Sequence, residues 1–241
     1  MTALAERVRE VLERLERRGS RRARAEMRTR YGIVAPKAYG VSMSTIQQMA
    51  KSLGRDHALA AALWASGWYE ARLLAAYVEE PERVTAAQMD RWARDFDNWG
   101  VCDTLCFCLF DRTPHAWRKV QQWSGRRDEF VKRAAFALLA SVALHDKRTG
   151  DAPFLRTLAL IERAAADERN FVKKGVSWAL RSVGRRSLAL NRRAVELARR
   201  LAASEEPAAR WVGKDAPREL TNPKVKARLA GRGRTGRPGA G

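Results

Sequence analysis

Apolar residues recur at intervals of three and four along most of the chain, which is the spacing of a helix that buries one face. The first such stretch covers residues 2–18. Its apolar stripe consists of Leu4, Val8, Val11, Leu12 and Leu15. A segment rich in glycine and proline follows at residues 31–44, and helical spacing then continues almost to residue 213. Because no run alternates between apolar and polar residues, the pattern predicts an all-α fold of helix pairs joined by short turns.

A four-residue string recurs along the chain at a nearly fixed distance. Phe130-Val131-Lys132-Arg133 returns 41 residues later as Phe171-Val172-Lys173-Lys174, and a weaker copy follows as Trp211-Val212-Gly213-Lys214. A helical period of about 40–47 residues is typical of HEAT and armadillo repeats, in which stacked helix pairs form a curved superhelix. The sequence therefore predicts a HEAT/armadillo-like α-α superhelix, that is, a solenoid of antiparallel helix pairs, as a single domain over residues 1–220.

The second copy of the string indicates which side chains point away from the core. On a helical wheel with about 100° per residue, one stripe faces the core. That stripe consists of Val172, Val176, Ala179 and Val183. Lys174, Trp178 and Arg181 lie on the opposite side, and Arg133 of the first copy takes the position of Lys174. Cations at one wheel position in successive repeats would line a single phosphate-binding surface. The alternative for Trp178 is that it packs between neighbouring helix pairs.

A second candidate cluster precedes the repeats, in the segment 95–103. If this segment is helical, Trp99 and Asp103 lie one turn apart on the same face. An aromatic face beside a carboxylate suits a cationic species, such as a charged base or an oxocarbenium-like sugar. The alternative is a structural role, in which Asp103 caps a helix or pairs with an arginine while Trp99 anchors the core.

The charge of the chain indicates what a helical array of this kind would bind. The sequence contains 47 lysine and arginine residues against 27 acids, which gives a formal net charge of +20. So large an excess repels itself unless a polyanion is the partner, so nucleic acid is the leading candidate, and a general bias towards arginine is the alternative. Residues 221–241 are basic and contain no acid. We expect them to form a disordered tail that adds nonspecific attraction to phosphates.

Several other chemistries have no support in the sequence. The spacing of Cys102, Cys106 and Cys108 fits neither zinc sites nor the usual iron–sulfur clusters, so we expect small buried side chains and no metal. No phosphate-binding glycine loop or nucleophile elbow is present, so no nucleotide cofactor is expected. No apolar stretch reaches the ~18 residues of a membrane span. Because the charged N-terminus also lacks the apolar core of a signal peptide, we expect a cytoplasmic protein.

Three segments of the sequence resemble the AlkD-type DNA glycosylases, a family of HEAT-like repeat proteins. These segments are residues 99–103, 130–135 and 171–181, in the order and spacing of that family. The resemblance covers about residues 20–220. It implies a monofunctional DNA repair glycosylase that hydrolyses the N-glycosidic bond of N3- or N7-alkylated purines in double-stranded DNA, without inserting the base into a pocket. Such an enzyme needs no cofactor, and a solenoid of this size is expected to be a monomer.

The resemblance also implies a role for each candidate residue. Trp99 and Trp178 would hold the deoxyribose of the damaged nucleotide between aromatic faces. Asp103 would stabilise the positive charge that grows on that sugar and would position the attacking water. Arg133 would hold the DNA backbone near the lesion. The further candidates for DNA binding are Lys173, Lys174 and Arg181.

The sequence departs from the family pattern at two places. Gly100 stands where members of the family often carry a second acid, and the aromatic residue expected in the N-terminal region has no clear counterpart. Met27 or Tyr31 is expected near that position, and no role is assigned to either. Two other functions therefore stay open. One is a noncatalytic protein that binds bent or damaged DNA, and the other is a HEAT-type scaffold for protein interactions.

Overall fold

α-Helices form nearly all of the regular structure of the chain. The computed structural model describes residues 2–235, with side chains as far as residue 231. Within that part of the chain there is no β-strand. The all-α fold class that the hydrophobic spacing predicted is therefore confirmed. Each helix in residues 2–235 is too short or too polar to cross a lipid bilayer.

The chain divides into two compact units, of which the first ends at His115 and the second begins at Ala116. The boundary follows a 3₁₀ turn at Phe110–Arg112 and contains Pro114. Proline has no backbone N–H and cannot extend a helical ladder, which accounts for a break at this point. The single domain that the sequence predicts over residues 1–220 stays a prediction.

The first unit is built from seven described α-helices. They are α1 (Ala3–Arg17), α2 (Arg21–Tyr31), α3 (Met43–Leu53), α4 (His57–Ala65), α5 (Tyr69–Val78), α6 (Ala86–Arg94) and α7 (Trp99–Cys108). Polar side chains begin several of these helices, with Ser42 before α3, Asp56 before α4 and Asn98 before α7. Each accepts a hydrogen bond from a backbone N–H of the first turn, which has no partner within the helix.

A buried carboxylate fixes the segment between α2 and α3, which is rich in glycine and proline. Glu70 of α5 is fully buried. It accepts hydrogen bonds from the backbone N–H groups of Tyr39, Gly40 and Val41, at 3.0, 2.7 and 3.2 Å. Gly40 has a φ of 80°, and a Cβ there would collide with the carbonyl oxygen of Ser20. The carboxylate therefore supplies the acceptors that these amides would otherwise find in regular structure.

The second unit continues the chain with eight described helices. They are α8 (Ala116–Ser124), α9 (Glu129–His145), α10 (Asp151–Ala164), α11 (Asn170–Gly184), α12 (Leu188–Ala202), α13 (Pro207–Asp215), α14 (Pro217–Leu220) and α15 (Pro223–Thr235). Helix α9 packs against both α8 and α11, and α12 packs against α11 and α13. Helices that are close in sequence are thus also neighbours in space, as expected for stacked helical repeats.

The two copies of the recurring string lie against each other in this unit. The ring centroids of Phe130 and Phe171 are 5.3 Å apart. The next residue in each copy is buried, with Val131 5% and Val172 0% exposed. The remaining members of the stripe that the wheel placed in the core are Val176, Ala179 and Val183, and each is 0% exposed. The repeat and its core face are confirmed.

The third copy of the string has Gly213 where the first two have lysine, and the packing explains this difference. A Cβ at this position would lie 2.6 Å from the carbonyl oxygen of Ala198 and would also collide with the backbone of Ala202. Helices α12 and α13 therefore approach each other too closely for any side chain here. Val212, which precedes the glycine, is fully buried as in the other copies.

The end of the chain differs from the disordered tail that the sequence predicted from residue 221. Residues Pro223–Thr235 form α15, and Leu229 is 2% exposed. The helix packs on α12 and α14, so one leucine among basic and small residues is enough to attach it. Composition alone could not show that this leucine has a place to pack. Residues 236–241 of the predicted tail lie outside the described part of the chain.

Asp167, in the turn between α10 and α11, links that turn to α9. Its carboxylate lies 2.6 Å from the Arg169 guanidinium and 2.9 Å from the Lys132 ammonium. The hydrogen bond from Arg169, followed by that from Lys132, holds the pKa of Asp167 well below its usual value of 3.8. Because this pKa is lower in the folded state, the ionised carboxylate stabilises the fold above about pH 4, and this contribution is lost as the pH falls.

We expect Asp167→Asn to lower the free energy of unfolding by about 1–3 kcal/mol at neutral pH, because two charge-assisted hydrogen bonds are lost. Below about pH 4 the wild-type carboxyl becomes protonated in the unfolded state, so the difference between variant and wild type should shrink. Urea unfolding of both proteins over that pH range measures this. Glu205→Gln removes an exposed acid outside this cluster and is the matched control. If the two proteins differed in unfolding free energy by the same amount at every pH, the ionised Asp167 carboxylate would not be what stabilises the fold.

Candidate functional site

Helix α7 carries Trp99 in its first turn and Asp103 one turn later. Because this segment is helical, the two side chains lie on the same face, as predicted. Both residues are half-buried. The residue that caps the helix is Asn98, whose side chain accepts a hydrogen bond from the N–H of Val101 at 3.0 Å. Asp103 lies inside α7 and does not cap it. Of the structural roles considered for this acid, helix capping is therefore excluded at α7.

A hydrogen bond to the end of α2 orients the Trp99 indole. Its Nε1 donates to the carbonyl oxygen of Tyr31 at 2.9 Å. The Tyr31 side chain is 46% exposed, and the guanidinium of Arg30 lies 5.4 Å from its ring centroid. Sequence reasoning named Tyr31 without assigning it a role, because nothing in the local pattern connects it to a residue so far along the chain. The structure thus joins the Trp99 indole to the backbone of a residue whose aromatic ring is exposed.

Gly100, the departure from the family pattern, is explained by close packing. A Cβ at this position would lie 2.5 Å from the Tyr69 hydroxyl and 3.1 Å from Cδ1 of Ile33. Tyr69 is half-buried, and burial raises the pKa of its hydroxyl. A larger residue at position 100 would therefore have to displace this aromatic side chain. An acid cannot be accommodated here without rearrangement.

The three cysteines of α7 belong to the interior of the first unit. Cys102 and Cys106 are fully buried, and Cys108 is half-buried. Burial raises the pKa of both Cys106 and Cys108, which keeps these thiols neutral at pH 7. A neutral thiol is a poor metal ligand. Among the described residues, no group of three or more histidine, cysteine or acidic side chains could hold a metal ion.

In the second unit, Trp178 lies on α11 and is half-buried. It forms part of the wall of an open cavity of about 410 Å³, together with Leu144 and Ser182. An indole that lines an open cavity is accessible to a ligand, unlike one enclosed between helix pairs. The side of α11 to which the helical wheel assigned Trp178 is therefore the side that faces this cavity.

The structure differs from the sequence prediction at Arg133. The wheel placed this arginine on an exposed surface with Lys174, but it is only 7% exposed. Its guanidinium donates a hydrogen bond to the carbonyl oxygen of Phe171 at 2.6 Å, and a Cβ added at Gly175 would lie 3.5 Å from the Cγ of Arg133. Helix α9 is packed between α8 and α11, so the wheel position that is open on α11 is covered on α9. Arg133 joins two helices.

The other three cationic residues predicted to bind DNA differ in solvent exposure and in their side-chain contacts. Lys174 is exposed. The Lys173 ammonium lies 5.5 Å from the ring centroid of Trp211, within cation–π distance. Arg181 is half-buried and lies 3.6 Å from the carboxylate of Glu219. Of the three, Lys174 presents its charge most directly to solvent.

Comparisons with known proteins agree with this architecture. Residues 11–220 match the family model described as DNA alkylation repair enzyme. Among solved structures, the chain is similar to a protein from a family related to the HEAT-like repeat DNA glycosylases with affinity for branched DNA structures. The two are 19% identical, the likeness covers 88% of this chain and 95% of that one, and the TM-score is 0.73. At this identity the likeness shows the fold, which is the predicted HEAT-like repeat fold. No curated protein matches the sequence.

Proposed function

The chain belongs to the DNA alkylation repair enzyme family, and from that premise we propose that it is a glycosylase that hydrolyses the N-glycosidic bond of N3- or N7-alkylated purines in duplex DNA. The observation that carries this proposal is the half-buried face of α7. There, Trp99 and Asp103 offer an indole and a carboxylate one helical turn apart. This pair suits a reaction in which a sugar becomes cationic.

The chemistry of the lesion explains why so few groups are needed. An N3- or N7-alkylated purine carries a positive charge, so the electron pair of the breaking C1′–N bond neutralises the base as it leaves. The positive charge then develops on the deoxyribose. A carboxylate stabilises that charge electrostatically, and an indole face does so by cation–π attraction. Water forms the new C1′–O bond and loses its proton to Asp103 or to solvent, so no cofactor is required.

The half-burial of Asp103 strengthens its proposed role. A charge that is partly removed from water acts through a lower effective dielectric than one in bulk solvent, so its attraction to a cationic sugar is stronger. Trp99 is held in place by its hydrogen bond to Tyr31. Its ring therefore loses little freedom when a substrate arrives, which is the advantage of a preorganised site. We include the exposed Tyr31 ring among the groups proposed to contact DNA.

The second unit is proposed to contribute DNA contacts. Trp178 would pack against deoxyribose, and the exposed Lys174 would bind a phosphate. Lys173 and Arg181, which already have partners, would add longer-range attraction. For Arg133, burial and the hydrogen bond to Phe171 favour a role in fixing α11 over a direct contact with the DNA backbone.

The test is release of modified bases by the purified protein from duplex DNA treated with a methylating agent. We expect free 7-methylguanine or 3-methyladenine above the level of a buffer control, measured by mass spectrometry. Unmodified guanine should stay bound to DNA, because a neutral purine is a poor leaving group and this site is proposed to supply no general acid. No release above the buffer control would contradict the enzymatic proposal.

One observation favours a second candidate function, which is noncatalytic binding to DNA of unusual structure. The similar solved structure belongs to a family with affinity for branched DNA, and a net charge of +20 would favour binding to any nucleic acid. This candidate predicts tighter binding to a four-way junction than to a plain duplex, no base release, and no effect of replacing Asp103. Titration of both DNA forms, followed by the release assay, separates the two functions.

A further inference from the structure

The cavity beside Trp178 is unusually basic. Four cationic side chains line it, from the loop after α9, the end of α11 and α15. They are Lys147, Arg185, Arg186 and Arg228. No acidic side chain is among the described residues of its wall. Positive groups that converge on an open cavity attract an anion, and arginine in particular binds phosphate oxygens through its planar fork.

Internal contacts fix the inner cations in place without removing their charge. The Arg186 guanidinium donates to the carbonyl oxygens of Ala143 and Thr149, each at 2.8 Å, and lies 3.8 Å from the ring centroid of Phe154. These carbonyl oxygens carry no net charge, so the hydrogen bonds leave the positive charge of Arg186 in place, and Asp146 and Asp151 are the acids that act on it. Burial lowers the pKa of Arg186, because its charged form is poorly hydrated. Arg185 is different, since it pairs with the carboxylate of Glu219.

The cation at the outer edge comes from a helix that the family model does not include. The match to the family ends at residue 220, whereas α15 covers Pro223–Thr235. Leu229 anchors this helix with 2% exposure, and the adjacent Arg228 lines the cavity. Within the described part of the chain, no ion pair involves Arg228. An exposed guanidinium held at a cavity by a buried neighbour is available to a ligand.

We propose that this cavity binds a phosphodiester of the DNA backbone, next to a sugar that packs on Trp178, and that α15 supplies Arg228 to hold it. The proposal rests on the proposed function in taking DNA as the ligand. The cavity volume of about 410 Å³ exceeds that of a phosphate and leaves room for the attached sugar. Trp178 and Leu144 supply the apolar wall that a sugar ring needs, while the arginines supply the polar one.

The experiment compares DNA binding by Arg228→Ala and wild type over a range of salt concentrations, with an undamaged duplex. Loss of one charge-assisted phosphate contact should weaken binding about tenfold at low salt. The slope of log K against log salt concentration should fall by about 0.9, the value for one phosphate. Arg228→Lys keeps the charge and should retain the slope. Because the side chain is exposed, the thermal midpoint of Arg228→Ala should equal that of wild type.

Lys226→Ala is the matched control, since it removes one exposed charge from the same helix but from outside the cavity wall. It should change affinity by less than about twofold and leave the slope unaltered. The proposal is overturned if Arg228→Ala binds like wild type, or if Lys226→Ala loses as much affinity. No base release enters this measurement. A protein that shows these binding differences but excises nothing would refute the enzymatic function and leave the phosphate site supported.

Discussion

Replacing Asp103 with asparagine is expected to lower the rate of alkylpurine release by a factor of about 10²–10³. The substitution preserves the size of the side chain but removes the negative charge proposed to stabilise the sugar as the base departs. DNA affinity should be unchanged or slightly higher, because one repulsion between the protein and phosphates disappears. Release should be measured under single-turnover conditions with protein in excess, so that binding does not limit the rate.

Glu82→Gln is the control for this experiment. Glu82 is an exposed acid on a 3₁₀ turn, and its replacement changes the net charge by the same amount. It should release bases at the wild-type rate. Equal rates for Asp103→Asn and wild type would show that the carboxylate of α7 takes no part in the reaction. A variant that no longer unfolds cooperatively would instead point to a structural role for Asp103, so urea unfolding of each protein accompanies the assay.

Replacing Glu70 with glutamine is expected to have the largest effect on stability, a loss of about 2–3 kcal/mol in the free energy of unfolding. The buried carboxylate accepts three backbone N–H groups of the segment between α2 and α3. The Tyr39 N–H lies 3.1 Å from one carboxylate oxygen and 3.0 Å from the other, so in the amide it would face an NH₂ donor in place of one acceptor. The urea concentration at the midpoint of unfolding should fall clearly, while the dependence of the unfolding free energy on urea concentration should change little.

Glu82→Gln, at an exposed position on a 3₁₀ turn, provides the comparison. A surface change of this kind should shift stability by no more than about 0.5 kcal/mol. If Glu70→Gln were equally mild, the carboxylate would not be what holds the loop in place. Tyr31 ends the helix that leads into this loop, and its carbonyl holds the Trp99 indole. A loosened loop should therefore also reduce base release.

The sequence was sufficient to predict those features of the fold that follow from a regular spacing of residues. The stripe Val172 to Val183 could be assigned to the core because a helix repeats its faces every few residues. The 41-residue repeat could be recognised from its recurring string, and the structure adds that Phe130 packs against Phe171. The resemblance to the AlkD-type glycosylases likewise rested on short strings, and the family match over residues 11–220 confirms it.

The sequence was insufficient to predict the burial or contacts of a residue that packs against a part of the chain far away in sequence. Arg133 and Lys174 occupy the same wheel position, yet one is buried because its helix has neighbours on two sides. The attachment of α15 depends on a site that receives Leu229, and no local pattern encodes that site. The contact between Tyr31 and Trp99 joins residues far apart in the chain, and only the fold brings them together.

The most direct test of catalysis uses a duplex with a single 7-methylguanine and enough protein to bind all of it. As the lesion is excised, an abasic site forms at that one position and can be cleaved with alkali and counted. We predict that abasic sites accumulate faster than in buffer, only at the methylated position, and slowly with Asp103→Asn. Complete binding of the duplex with no abasic sites above the spontaneous level would contradict glycosylase activity and leave a protein that only binds DNA.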